Sequence, residues 1–194
     1  MLRRTAAVDY LTLVNAERPW RPDERLRLVP VNRQDKGVML QSEAACQLNR
    51  LLQQLTGSAE AGWQQIAAVS GWRSRQEQRR IWWQSLAENG REFTEQYVAR
   101  PGCSEHQTGL AIDLGLRLPE IDFIRPYFPY DGLAGRFRQL AAEYGFVERY
   151  PQGKEAVCGI AHEPWHFRYV GEEAAKQIMQ DGICFEEYLE KARK

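Results

Sequence analysis

A proline stands inside the string of this chain that most suggests chemistry, His162-Glu163-Pro164-Trp165-His166, and it decides what that string can fold into. Without the proline the string spells H-E-x-x-H, in which one helical face carries two zinc-binding histidines and the glutamate activates water. Proline has no backbone N–H to give a helix, and it disfavours the helical conformation at the residue before it, here Glu163. Trp165-His-Phe-Arg-Tyr-Val170 follows at once and alternates aromatic with polar residues, as a half-buried strand does. The segment is therefore predicted to be extended. His162 and His166 then lie about 13 Å apart at roughly 3.3 Å per residue, too far to share one ion without a sharp bend. His162 is expected to stand outside the ligand set.

Elsewhere the periodicity gives a mixture of elements. Ser42 to Leu55 places Leu48, Leu51, Leu52 and Leu55 on one helical face, with Ser42 as its cap. Ile66 to Ser70 reads as a strand, and Ser74-Arg-Gln-Glu77 as the capping box of a helix ending near Gly90. The strand thus delivers Gly71-Trp72-Arg73 to a loop at a helix start. Leu110 to Leu114 is a second buried strand, Phe137 to Tyr144 a helix stopped by Gly145, and helices close the chain beyond Gly171. Leu116 to Gly132, with four prolines or glycines and four aromatics, is a long loop. Strands and helices do not alternate as β-α-β units, and no glycine-rich phosphate loop follows a strand. The fold class is therefore α+β, in one domain spanning residues 1–194.

The chain has three histidines, His106, His162 and His166. In Ser104-Glu-His-Gln-Thr-Gly-Leu-Ala-Ile-Asp113, Gly109 allows a turn that returns the loop residue His106 to the side of the strand residue Asp113. Imidazole and carboxylate are both good zinc ligands. His166 can supply a third from a separate strand. Glu163, in the bend that Pro164 imposes, can approach the open coordination position without filling it. Three protein ligands with one open position describe a catalytic site, whereas structural sites usually close with four.

These strings resemble the VanX, VanY and VanXY D,D-peptidases of vancomycin resistance. S-x-H-x-x-G-x-A-x-D is followed about fifty residues later by E-x-x-H and preceded by Ser70-Gly-Trp-Arg-Ser74. Ile121-Asp-Phe-Ile-Arg-Pro126 and Phe128-Pro-Tyr-Asp-Gly132 are similar to the middle loop of the dual-activity VanXY type. The resemblance implies the fold of the Hedgehog amino-terminal domain, a small antiparallel sheet with flanking helices. It implies one Zn²⁺ held by His106, Asp113 and His166, Glu163 as general base and then acid, and Arg73 as stabiliser of the developing oxyanion. Ser104 is implied as a contact to the substrate's terminal carboxylate, Gln78 as a wall of the same pocket, and Asp122 as the holder of a free substrate amine. The implied substrates are D-Ala-D-Ala and peptidoglycan precursor peptides that end in it. An L,D-carboxypeptidase or an L-alanyl-D-glutamate endopeptidase would use the same metal site on a different bond, and a zinc-stabilised peptidoglycan-binding module would keep the metal without turnover.

Charge and composition exclude other partners. Lys plus Arg and Asp plus Glu are both 26, so no net field draws nucleic acid, and no apolar run approaches the roughly 20 residues of a membrane span. Arg3 and Arg4 resemble the start of a leader, but Asp9, Asn15, Glu17 and Arg18 interrupt any apolar stretch after them, so a cytoplasmic protein is expected. Cys46, Cys103, Cys158 and Cys184 are scattered, and reduced thiols are expected.

Overall fold

The computed structural model describes residues 8–193; Arg3 and Arg4 lie outside them. Four strands make the central sheet: β3 (Ile66–Ser70), β4 (Ala111–Leu116), β5 (Phe146–Tyr150) and β6 (Glu163–Tyr169), in the order β3-β4-β6-β5 and antiparallel throughout. A short antiparallel hairpin, β1 (Leu28–Pro30) and β2 (Met39–Gln41), leads into α1 (Ser42–Thr56). The remaining helices are α2 (Ala59–Trp63), α3 (Arg75–Tyr97), α4 (Gly132–Ala141), α5 (Glu155–Cys158), α6 (Glu172–Asp181) and α7 (Phe185–Lys191). The α+β class with a small antiparallel sheet is therefore as expected. No helix among the described residues is long and apolar enough to cross a membrane.

Alternation along the strands gives the sheet two different faces. Ile112, Leu114, Phe167 and Tyr169 turn to the main core, where they meet Leu48, Leu51 and Leu52 of α1 and Phe137 of α4. Phe128, Phe137 and Phe167 pack edge to face with centroids 5.0–5.6 Å apart. The opposite face carries the intervening residues Asp113, His166, Arg168 and Arg149, all buried.

Several boundaries differ from the sequence expectation for local reasons. Gln41 caps α1 in place of Ser42, its side-chain oxygen accepting from the N–H groups of Glu43 (2.8 Å) and Ala44 (3.1 Å). Ser74 caps α3 as predicted, accepting from Glu77 N–H at 3.1 Å. That helix does not end at Gly90. It kinks there, at φ 80° and ψ 175°, and resumes to Tyr97. The Thr94 hydroxyl donates to the Gly90 carbonyl at 2.8 Å and lies 2.8 Å from the Ser85 hydroxyl, tying the halves together. α4 begins at Gly132, five residues before the predicted start, and only its final 3₁₀ turn, Ala142–Tyr144, reaches Gly145. Residues 117–131 are irregular, as predicted. Arg138 pins that loop to β6 by donating to the carbonyls of Phe128 (2.7 Å) and Pro164 (2.5 Å).

Candidate metal centre

Strand register assembles the centre. Ser70 pairs with Asp113 and Asp113 pairs with His166, so three adjacent strands place one polar row across the buried face. One extra residue in β3 between Ala68 and Ser70 shifts that register next to Asp113, as bulges beside functional sites do. A second irregularity serves Glu163. Residues three apart in a regular strand face opposite ways. Here Glu148 pairs with Phe167 and Tyr150 with Glu163, so β6 carries two extra residues across Pro164 to Trp165, and Glu163 Oε2 comes within 3.6 Å of His166 Nδ1.

His106 reaches the row from a 3₁₀ turn, Glu105–Thr108, that ends at Gly109 with φ 70°. A Cβ at Gly109 would lie 2.9 Å from a Leu28 methyl and 3.2 Å from the Gln41 backbone nitrogen, so the turn requires glycine. Gly71 allows a second close approach, because a Cβ there would come within 2.3 Å of the Met39 carbonyl oxygen. The Gly71 carbonyl accepts the Nδ1–H of His106 at 2.6 Å, which leaves Nε2 of that ring turned to Asp113 Oδ2 at 3.1 Å. His166 presents its other nitrogen, with Nδ1 2.9 Å from Asp113 Oδ1.

The donors of His106, Asp113 and His166 all lie within 4.8 Å of one another and are buried. Two imidazole nitrogens and a carboxylate oxygen, with one side left to the adjoining cavity, fit a catalytic zinc site. His162 does not join them. It stacks on Tyr130, whose hydroxyl is 2.6 Å from its Nε2 and also donates to Glu148. Cys103 is not in the cluster either, and all four cysteines are free thiols. Buried Cys158, Cys184 and Glu186 gather in a separate group that no sequence spacing announced.

The cavity over the centre is lined by Arg73, Gln78, Ser104, His106, Asp113, Tyr150, Glu163, Trp165 and His166, among others. Arg73 is held by three acceptors: Ser70 Oγ at 2.7 Å, Asp113 Oδ2 at 2.8 Å and Gln78 Oε1 at 3.3 Å. Gln78 is fully buried and donates to the Ala99 carbonyl at 2.8 Å, so it orients Arg73 as well as lining the wall. Ser104 precedes the 3₁₀ turn and makes no capping bond to it. Asp122 is not brought in. Its Oδ1 accepts from the N–H groups of Ile124 (2.8 Å) and Arg125 (2.9 Å) on its own exposed loop, while Phe123 and Ile124 form part of the cavity wall. Tyr150, which sequence reasoning missed, sets its ring 4.9 Å from that of His166.

Electrostatics separates the roles. Burial, with Arg73 adding to it, pushes His106 down to about 4, so this ring stays neutral with a lone pair free. Burial alone would raise the Asp113 carboxyl, but His106 and His166 beside it hold it well below the usual carboxylate range. Burial raises Glu163 to about 8, opposed by His166 and assisted by the negative charge of Asp113. His166 is raised to about 9, because Asp113 and Glu105 outweigh the burial that would lower it.

Known proteins resemble this chain along most of its length. The chain is 44% identical over 185 residues to the bifunctional D-Ala-D-Ala dipeptidase and D-Ala-D-Ala carboxypeptidase VanXYC of Enterococcus gallinarum, covering 93% of this chain and 94% of that protein. The solved structure of the vancomycin-resistance D,D-dipeptidase VanXYg with a D-Ala-D-Ala phosphinate analogue superposes with a TM-score of 0.88 at 45% identity, over 93% of this chain and 70% of that one. A mutant of the D,D-pentapeptidase VanY from a VanB-type resistance cassette, solved in complex with Zn(II), gives 0.70 at 31% identity over 93% and 98% of the two chains. Residues 38–172 match the VanY family, described as D-alanyl-D-alanine carboxypeptidase, and the chain belongs to that family.

Proposed function

We propose that this protein is a zinc-dependent D,D-carboxypeptidase and D,D-dipeptidase that hydrolyses the D-Ala-D-Ala ends of peptidoglycan precursors. The observation that carries the reading is the convergence of two histidines and an aspartate on the floor of a cavity whose walls hold a protonatable glutamate and a tethered arginine. The similarity along nearly the whole chain to the bifunctional VanXYC and to the D,D-dipeptidase VanXYg supports the choice of substrate.

His106 Nε2, Asp113 and His166 Nδ1 would hold the zinc ion, which supplies a Lewis acid for the scissile carbonyl and lowers the pKa of bound water from 15.7 toward about 7. Glu163 stands beside this set and is not needed to complete it. Its carboxylate takes the proton released as water attacks and passes it to the departing amine. A carboxyl raised to about 8 in the metal-free protein is poised to hold that proton. Arg73, fixed by Ser70, Asp113 and Gln78, presents a guanidinium to the oxygen on which negative charge develops. Ser104 offers a hydroxyl to the terminal carboxylate, and Trp165 and Tyr150 close apolar walls around the small D-alanine side chains.

Incubation of zinc-loaded protein with D-Ala-D-Ala, and separately with a pentapeptide ending in it, tests the reading. Free D-Ala is expected from both, with a tetrapeptide left from the second. Cleavage at the preceding L,D bond would make it an L,D-carboxypeptidase, cleavage between L-Ala and D-Glu an endopeptidase, and binding without any cleavage a binding module.

A further inference from the structure

Behind the metal centre, on the side away from the cavity, stands a glutamate that the proposed reaction does not use. Glu105 is fully buried, and its Oε1 accepts from Arg149 Nε at 2.8 Å and lies 3.0 Å from Arg168 Nη1. Arg149 also donates to both oxygens of Glu186, at 2.8 and 2.5 Å. Two glutamates and two arginines balance in charge. The other oxygen of Glu105 is different: Oε2 is buried with no hydrogen-bond partner, and so is Nε2 of His166. These two orphans face each other at 3.8 Å. An unpaired buried donor and an unpaired buried acceptor each cost free energy, and a closure of about 0.7 Å would bring this pair within hydrogen-bond range.

We infer that Glu105 is the positioning residue of His166: its Oε2 accepts the Nε2–H proton, fixes the ring's tautomer and aims Nδ1 at the metal. The inference rests on the metal-centre reading above. Ligating histidines commonly hand their second N–H to a carboxylate or carbonyl, which sets ring orientation and strengthens the donor. With the metal bound, the two histidines would take opposite tautomers. His106 gives its Nδ1–H to the Gly71 carbonyl and turns Nε2 inward, whereas His166 turns Nδ1 inward and needs a partner for Nε2. Glu105 is that partner, and it precedes His106 in the same 3₁₀ turn. One turn thus contributes one ligand and orients another. Arg149 and Arg168, both on Oε1, hold the carboxylate against the sheet and leave Oε2 to His166.

Two measurements test this. In zinc-loaded wild-type protein, long-range ¹H–¹⁵N spectra should show His166 protonated at Nε2 and His106 protonated at Nδ1; the reverse at His166 overturns the inference, and this reading needs no mutant to fold. Zinc affinity by competition with a chelator should fall about 10–100-fold in Glu105→Ala and largely recover in Glu105→Gln, whose amide oxygen still accepts Nε2–H. Glu186→Gln, which removes the same unit of charge from Arg149 without touching His166, should leave affinity within about twofold. Folded Glu105→Ala with wild-type affinity, or an equal loss in Glu186→Gln, sinks the assignment. Wild-type protein that takes up no zinc fails the metal reading itself.

Discussion

The guanidinium of Arg73 donates to Oδ2 of Asp113 at 2.8 Å, so the cation proposed to meet the oxyanion is tied directly to a proposed metal ligand. Arg73→Ala should therefore have two effects. Turnover should fall about 10²–10³-fold from loss of an oxyanion donor. Zinc affinity should fall as well, because Asp113 loses the partner that orients it. Arg73→Lys restores charge but not the fork that spans Ser70, Asp113 and Gln78, and should recover less than tenfold of the lost turnover. D-Ala release and chelator competition measure the two effects; wild-type turnover in Arg73→Ala would remove it from the chemistry.

Glu163→Ala separates base from ligand. His106, Asp113 and His166 remain, so zinc content and fold should persist, while hydrolysis falls by about 10²–10⁴-fold or more, since one group serves both proton transfers. Metal analysis and single-turnover hydrolysis on the same sample check this. Loss of zinc together with activity would make Glu163 a ligand.

The histidines give a sharper contrast. His166→Ala should lose zinc, and His162→Ala should keep it, because His162 is engaged with Tyr130 and Glu148 outside the cluster. Equal loss in both would restore the helical-motif reading that Pro164 argues against.

Much of this site was legible in the sequence, and what was not has a physical reason. Pro164 told that the E-x-x-H segment is extended, and Gly109 told that His106 turns back toward Asp113. Pro164 also told that a bend lets Glu163 approach the metal position beside His166; the form of that bend, two extra residues in β6, is visible only in the pairing with β5. Gly90 reads as a helix end by its own preference, but Ser85 and Thr94 bridge it. Glu105, Arg149 and Arg168 carry no signal of their own in the sequence, and they are buried where the fold brings them to one another. A charged residue rarely declares its burial, which is set by partners far away in sequence.

Zinc uptake should depend steeply on pH. In the metal-free protein His166 is raised to about 9 and so carries a proton at pH 7 that the metal must displace. Apparent affinity should thus rise about tenfold per pH unit between pH 6 and 8, with at least one proton released per ion. Both His166 and Glu163 have folded values above their unfolded ones, near 6.5 and 4.3. Each therefore favours the metal-free fold at low pH, and that contribution is lost as pH rises through about 9 and about 8 respectively. The gap in melting temperature between zinc-loaded and metal-free protein should widen from pH 6 to pH 8. A gap that narrows on alkalinisation would contradict these assignments.

Asp122 tests how the substrate's free amine is held. Resemblance to the dipeptidases places a carboxylate here, yet its Oδ1 is taken by the N–H groups of Ile124 and Arg125, and the side chain is half exposed beside Arg125. What this loop sends into the cavity is Phe123 and Ile124. Asp122→Ala should accordingly loosen the turn that presents those two side chains. Dipeptide and pentapeptide should suffer alike, by about two- to fivefold in KM and little in kcat, as expected when binding common to ground and transition states is weakened. Steady-state kinetics on both substrates decides the matter. A loss of tenfold or more on D-Ala-D-Ala, with the pentapeptide spared, would mean that the loop turns inward when substrate binds and that Asp122 meets the free amine after all.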